Sequence, residues 1–482
     1  MVNLGLILEY LRQTIQVKYI VFTVALLCVI PAVAALVLDK RLIRFAILGL
    51  IIPFVNFNGT AINFLSMEQY HGTARGMEIS LCYIIAATIL FAIVLRGGFK
   101  LHLPYIGSFL FFLYFMFSVL SLRHSGDRII SFFEIWKMMM MYLVFLAVSS
   151  YMEYTKGDFD ILNYGLGAFI VLSFLFVLKQ HFEGTNQVKG FFPHQNSFAM
   201  FLVLANVVQF SLALNSRRWI QTGLYLFVFC CGAVCTLRTY SRGGFISFPV
   251  SIIVCFTISL LFQFRARKVS RSLLILFLGM MGFLIFLPKI ILRFENAHVN
   301  SYETRVQFVT VALNIIRDNK MFGVGINNWS RTLQRNKNYK FNRKTNERTD
   351  LIGVGIVETI YLLVAAECGI PCLVALLLWF FYYFFISIKL AFCLRNTKYF
   401  YFPAATAGGL LGIYVQSMLE WVLKQSMNFM LLMIVFAMLS YLNRNYKKLI
   451  QREEEEARQA NASEVSDEPE PTPETEQELA LQ

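Results

Sequence analysis

Glu358 and Glu367 stand nine residues apart in the stretch GVGIVETIYLLVAAECGI, the first just ahead of a long apolar run and the second inside it. A carboxylate in either place needs a physical reason, because charge within an apolar span must be paired, neutralised or hydrated. On one continuous helix nine residues amount to about 13 Å of rise and roughly half a turn, so the two would differ in depth and in face. Glu358 therefore reads as a residue at the mouth of a span, able to serve as a base or to cap the positive end of its helix. Glu367 reads as a deep, structural carboxylate.

Cations and amides gather at other span ends. KGFFPHQNSFAM supplies Lys189, His194, Gln195 and Asn196, and LRTYSRGGF supplies Arg238, Tyr240, Ser241 and Arg242. A long hydrophilic loop supplies Arg305, and the span after Glu358 opens with Thr359 and Tyr361. Converged, these residues would line a pocket for an anionic, phosphorylated group. Arginine suits a diphosphate because its planar fork makes charge-assisted bidentate hydrogen bonds and keeps its proton when partly desolvated. Plainer roles remain open at this point: Arg238 and Arg242 as interfacial anchors, and His194 as a helix-start residue bonded to backbone. Glu134 and Lys137, one turn apart, can pair with each other. There is no GxxxxGK[ST], no HExxH and no dinucleotide fingerprint. The one DxD, Asp158 and Asp160 in GDFD, reads as a solvated turn. No metal, cofactor or nucleic acid is expected.

The elements that would position these residues are helices in lipid. Of 482 residues, 57% are hydrophobic and 15% charged, against about 25% charged in soluble domains. Apolar runs of about 20 residues recur along the chain, and the first, 19–38, has no cleavage site behind it and reads as a retained span. Spans are expected near 19–38, 42–57, 79–96, 103–122, 131–152, 160–178, 196–214, 219–237, 243–263, 272–292, 357–388, 400–422 and 426–443. The fold class is an all-α polytopic membrane protein of about 12–14 transmembrane helices. One alternating set of short loops holds roughly twice the Lys and Arg of the other, which places it in the cytoplasm. The loop 293–356 then falls on the outer face, with an amphipathic helix over about 301–317 carrying Arg305. A membrane domain, 1–449, precedes a tail, 450–482. From Arg452 on the tail has eleven acids and two arginines, and it is expected to be disordered and cytoplasmic. The nine cysteines, without CxxC spacing, read as core residues.

On these residues, the chain resembles the O-antigen ligase and polymerase superfamily of bacterial surface-polysaccharide enzymes. The resemblance spans about 160–440 and is carried by PHQNSFAM, TLRTYSRGGFISF, YETRVQFVTVALNIIRDNKMFGVGINNW and VETIYLLVAAECGI, in that order around one large outer loop. It implies a glycosyltransferase-C-like architecture in the cytoplasmic (inner) membrane, with an active site on the outer face and a polyprenyl diphosphate-linked glycan as donor. It also implies an acceptor glycan, membrane lipid around the site, and a flippase and a chain-length regulator of the same pathway as partners. Arg242 of SRGG and Arg305 of ETRVQF match family arginines that bind the diphosphate, with Lys189 and Arg238 as further candidates. Glu358 and Thr359 stand where ligases carry His-Asn, while Tyr361 and Leu362 are retained, a departure that favours a polymerase over a ligase. Glu367 and Gly369 match a Glu-x-Gly that implies a structural role. The expected activity is a metal-independent, inverting glycosyl transfer that polymerises repeat units of O-antigen, capsule or exopolysaccharide. The alternatives are a ligase and, in another class, a lipid-linked oligosaccharide flippase. The absence of internal repeats weighs against the flippase.

Overall fold

The computed structural model describes residues 17–51, 61–67, 69–97, 103–216, 218–264, 266–295, 299–342, 347–348 and 355–466. Helices dominate it. Among these residues, eight helices are long and apolar enough to cross a membrane, and two shorter apolar ones cover 29–38 and 81–96. The protein is an all-α polytopic membrane protein. Of the expected span 42–57, only a helix Lys40–Ala46 and a short 3-10 turn to Leu50 are described, and 52–60 lie outside the described residues.

The helices that frame the site are α1 (Arg128–Tyr154), α2 (Asp160–Phe182), α3 (Gln195–Asn215), α4 (Trp219–Arg238), α5 (Arg242–Phe262), α6 (Val299–Asp318), α7 (Ile360–Cys368), α8 (Ile370–Cys393), α9 (Tyr401–Gln416) and α10 (Ser426–Ser466). The central helix is α3, whose apolar window is wholly enclosed by its neighbours, whereas only 28% of the α5 window is enclosed. Helices α5 and α9 approach closely because Gly408 and Gly412 offer no side chain. A Cβ at Gly408 would stand 2.3 Å from the Ser251 carbonyl, and one at Gly412 would stand 1.9 Å from the Ser251 hydroxyl. Small residues four apart are the usual device for such contact in lipid. The contact aligns the start of α5, which bears Arg242, with the end of α9.

Three features depart from the sequence expectations. The run 357–388 is not one span: Gly369, at φ +88°, ends α7 and begins α8. A Cβ there would lie 2.3 Å from the Met321 carbonyl, so only glycine admits both the left-handed backbone and the close pass of the loop. Glu367 thus sits in the last turn of a short helix against that loop, not deep in a continuous span. The second departure concerns the tail, since α10 continues in helical form to Ser466. Its acidic stretch is anchored where Glu453 accepts the Lys398 backbone N–H at 2.9 Å. Residues 467–482 lie outside the described residues, as do 296–298, 343–346 and 349–354 of the long loop.

An unforeseen antiparallel hairpin, β1 (Ala61–Ser66) with β2 (Gly76–Ser80), packs beside α1. Asn327, at φ +59°, ties it down: its amide donates to the carbonyls of Ala74 at 2.8 Å and Ile130 at 2.9 Å and accepts from the Thr73 N–H at 2.8 Å. Beneath this knot lie four buried charges. Lys137 Nζ is 2.7 Å from Glu134, and Lys424 Nζ is 3.4 Å from Glu134 and 3.7 Å from Glu367. Glu367 also accepts the Trp329 backbone N–H at 3.2 Å. Removing any one partner would leave a buried charge uncompensated, at a cost of about 3–5 kcal/mol. The expected Glu134–Lys137 pair is present, and Glu367 joins the same network.

Candidate active site

At the face where α3 and α5 begin and α9 ends, five chain segments converge. The residues before α7 are pinned to the end of α9, because Ile360 N–H donates to the Ser417 carbonyl at 3.1 Å and Thr359 Oγ1 to the same oxygen at 3.4 Å. This brings Glu358 beside Glu420. Helix α6 delivers Arg305, whose Nη2 ion-pairs with Glu358 and stands 3.8 Å from Glu420. Asn196, in the first turn of α3, donates from Nδ2 to Glu420 Oε1 at 2.6 Å. Gln416 braces the group by donating to the Asn196 carbonyl at 3.2 Å and accepting from Ser247 at 3.1 Å.

Arg242 closes the ring from α5. Its helix begins behind the Ser241 cap, whose hydroxyl accepts the Gly244 N–H at 3.2 Å. Tyr240, at φ +50°, makes the abrupt turn from α4. Gly243 lets this end lie flat on the site, since a Cβ there would be 3.2 Å from Gln416 Cγ and 3.5 Å from Glu420 Cγ. The positive charge of Arg242 acts on both carboxylates.

The two carboxylates differ. Burial raises the Glu358 carboxyl above its usual range, opposed by Arg305 and then Arg242. Glu420, with 7% of its side chain exposed, is pushed up to about 7 by burial and then by the like charge of Glu358, against Arg305, the Asn196 hydrogen bond and Arg242. Glu420 therefore exchanges its proton with solvent near neutrality. Two guanidiniums beside two carboxyls, both held above their usual range, can hold an anionic group and move a proton beside it.

Other expected residues take different places. His194 is the N-cap of α3, with Nδ1 accepting the Asn196 N–H at 3.2 Å; burial and then nearby Lys189 hold its imidazole below its usual pKa. Lys189 is thus near the rim, beside His194. Arg238 turns away to hydrogen-bond His181 and lies 5.9 Å from the Tyr240 ring centroid, so it is not among the converged groups. Tyr361 donates its hydroxyl to the Tyr414 carbonyl at 2.9 Å, which assigns it to packing between α7 and α9. Glu420 and Gln416 are additions that the sequence reading did not select as site residues. The signal for Glu420 was an acid at the end of an apolar span in QSMLEWVLK.

Residues 226–377 match the family model described as O-antigen ligase. The match supports the O-antigen ligase and polymerase superfamily. Arg242, Arg305 and Glu358 lie inside it, whereas Asn196, Gln416 and Glu420 come from flanking segments. No curated protein matches the chain.

Proposed function

We propose, taking the O-antigen ligase and polymerase superfamily as premise, that the chain polymerises polyprenyl diphosphate-linked oligosaccharide repeat units at the outer face of the bacterial cytoplasmic membrane. The observation that carries this reading is the convergence of Arg242 and Arg305 on Glu358, a carboxylate at the position where the superfamily's ligases have histidine. An acceptor-glycan hydroxyl attacks the anomeric carbon of the donor glycan while the bond from that carbon to the diphosphate oxygen breaks, and direct displacement inverts the centre. Glu358 takes the hydroxyl proton, a role worth about 10²–10⁴ in rate. Arg242 and Arg305 hold the charge that develops on the departing diphosphate.

The ion pair between Arg305 and Glu358 fits this sequence of events. A bound diphosphate competes for the guanidinium, and the carboxylate it releases becomes the stronger base. Both arginines supply charge that would otherwise be asked of a metal ion. Lys189 at the rim adds attraction for the anionic donor, and the lipid tail of the donor stays in the bilayer beside the helices.

Purified protein in lipid nanodiscs, supplied with its lipid-linked repeat unit, should yield a ladder of longer lipid-linked glycans. Glu358→Gln should abolish the ladder at normal protein levels. Full-length polymer from that variant would overturn the base assignment. Transfer only to a different acceptor would make the protein a ligase, the activity that the matched family description names.

A further inference from the structure

Beside the Glu358 site lies a cavity of about 410 Å³ between the hairpin, α1 and the segment that joins α9 to α10. It is lined by Thr73, Glu78, Lys137, Phe192, Trp421 and Ser426, among others. Three parts of its wall are continuous with the site. Trp421 follows Glu420, Pro193 precedes His194, and Gln425 is hydrogen-bonded by Ser197, the neighbour of Asn196. Its volume falls at the small end of the roughly 300–1,000 Å³ typical of small-molecule pockets, room for one or two sugar rings.

The lining has the chemistry of a polyol site. Trp421, half-buried, offers an apolar ring, and Phe192, stacked on Phe198, closes the wall. Glu78 offers a carboxylate that is hydrogen-bonded by Ser426 and whose Oε1 has no hydrogen-bond partner among the described residues. A buried carboxylate oxygen accepts only, so it calls for a donor. The positive charge of Lys137 is already taken by Glu134 at 2.7 Å, and its ammonium also donates to the Thr73 carbonyl at 3.0 Å. The charge of Lys137 also acts on the Glu78 carboxylate. With no cationic charge left over, the cavity suits a neutral ring better than a uronate.

We propose that this cavity is the subsite for the terminal sugar of the acceptor glycan, that it takes a neutral hexose or N-acetylhexosamine, and that Trp421 and Glu78 determine its specificity. The inference rests on the polymerase reading, and it assigns a role to residues that all lie outside 226–377. The hairpin thereby becomes part of the reaction, presenting Glu78 to a sugar hydroxyl while the ring stacks on Trp421 and another hydroxyl faces Glu358.

Its test is kinetic. In the nanodisc assay, lipid-linked repeat unit is the acceptor and a preformed longer chain on the same lipid is the donor. Trp421→Ala and Glu78→Gln should each raise the acceptor KM tenfold or more while the donor KM and kcat stay near wild type, and Trp421→Phe should recover most of the loss. Methyl glycosides of neutral hexoses and N-acetylhexosamines should inhibit the wild type competitively against acceptor, whereas methyl glucuronoside should not. Unchanged acceptor KM in both variants, or equal inhibition by the uronide, would overturn the subsite assignment with polymerase activity intact. Absence of any extension by the wild type would instead remove the polymerase reading on which it stands.

Discussion

Replacing Arg305 separates a role in the reaction from a role in the fold. Its Nη2 pairs with Glu358 and stands 3.8 Å from Glu420. Two unit charges at about 4 Å interact by about 4 kcal/mol at an effective dielectric near 20. Arg305 and Glu358, however, keep 30% and 36% of their side-chain surface exposed, and pairs this wet contribute only about 0–1 kcal/mol net. Arg305→Ala should therefore cost about 1 kcal/mol of stability and lower the melting temperature by a few degrees. Its effect on the reaction is of another size. A fixed donor facing developing charge is worth about 10²–10³ in rate, or roughly 2.7–4 kcal/mol, so kcat/KM for glycan extension should fall by that factor.

A second signature accompanies the first. Loss of an opposite charge raises the affinity of both carboxyls for protons, so Glu358 would be ionised only at higher pH and the acid limb of the pH–rate profile should move upward. Arg305→Lys restores the charge without the fork; it should return the limb to its wild-type place and recover only part of the rate. The measurements are extension kinetics in nanodiscs from pH 5 to 9 and thermal unfolding of the same samples. Wild-type kcat/KM in Arg305→Ala, or an acid limb that does not move, would refute the reasoning.

Further expectations follow from the same geometry. Glu420, raised from 4.5 to about 7 in the fold, holds a proton that the unfolded chain releases between those values. Stability should therefore fall by about 3 kcal/mol as pH rises through that window and then level off. Glu420→Gln keeps an acceptor for Asn196 and should remove most of that slope, as thermal unfolding at pH 5 and pH 8 would show. Tyr361→Phe loses the hydrogen bond to the Tyr414 carbonyl and should cost about 1 kcal/mol of stability with kcat/KM near the wild-type value; a large fall in rate at unchanged stability would place Tyr361 in the reaction.

What could be read in the sequence was the class of fold and four of the converged groups, Asn196 among them. Arg242, Arg305 and Glu358 each stand where an apolar run meets a polar one, and charge at such a boundary is visible in the order of residues alone. The helix Val299–Asp318 was legible for a similar reason, since Val306, Val309, Leu313 and Ile316 recur at helical spacing. The break at Gly369 was not, because its cause is a backbone contact with Met321, nearly fifty residues away in the chain. The glycine and the proline two residues later, both inside an unbroken apolar run, were the only local signs. The partnership of Glu420 with Asn196 spans 224 positions, and the anchoring of the hairpin by Asn327 spans about 250. Tyr361 illustrates the converse: a residue retained from a family motif has its hydroxyl committed to a carbonyl that no motif reveals.

Helix α3 has a consequence for how the protein meets bilayers of different thickness. Membrane proteins absorb a mismatch between span length and hydrocarbon thickness by tilting helices or by drawing lipid in around them, at a cost of fractions of a kcal/mol per ångström. Lipid can exert that pull only on side chains it touches, and the apolar window of α3 is enclosed throughout. Its upper end carries Asn196, which in turn holds Glu420. The position of that carboxylate is thus set by packing against neighbouring helices, while thinning or thickening of the surrounding lipid is taken up by less enclosed helices such as α5.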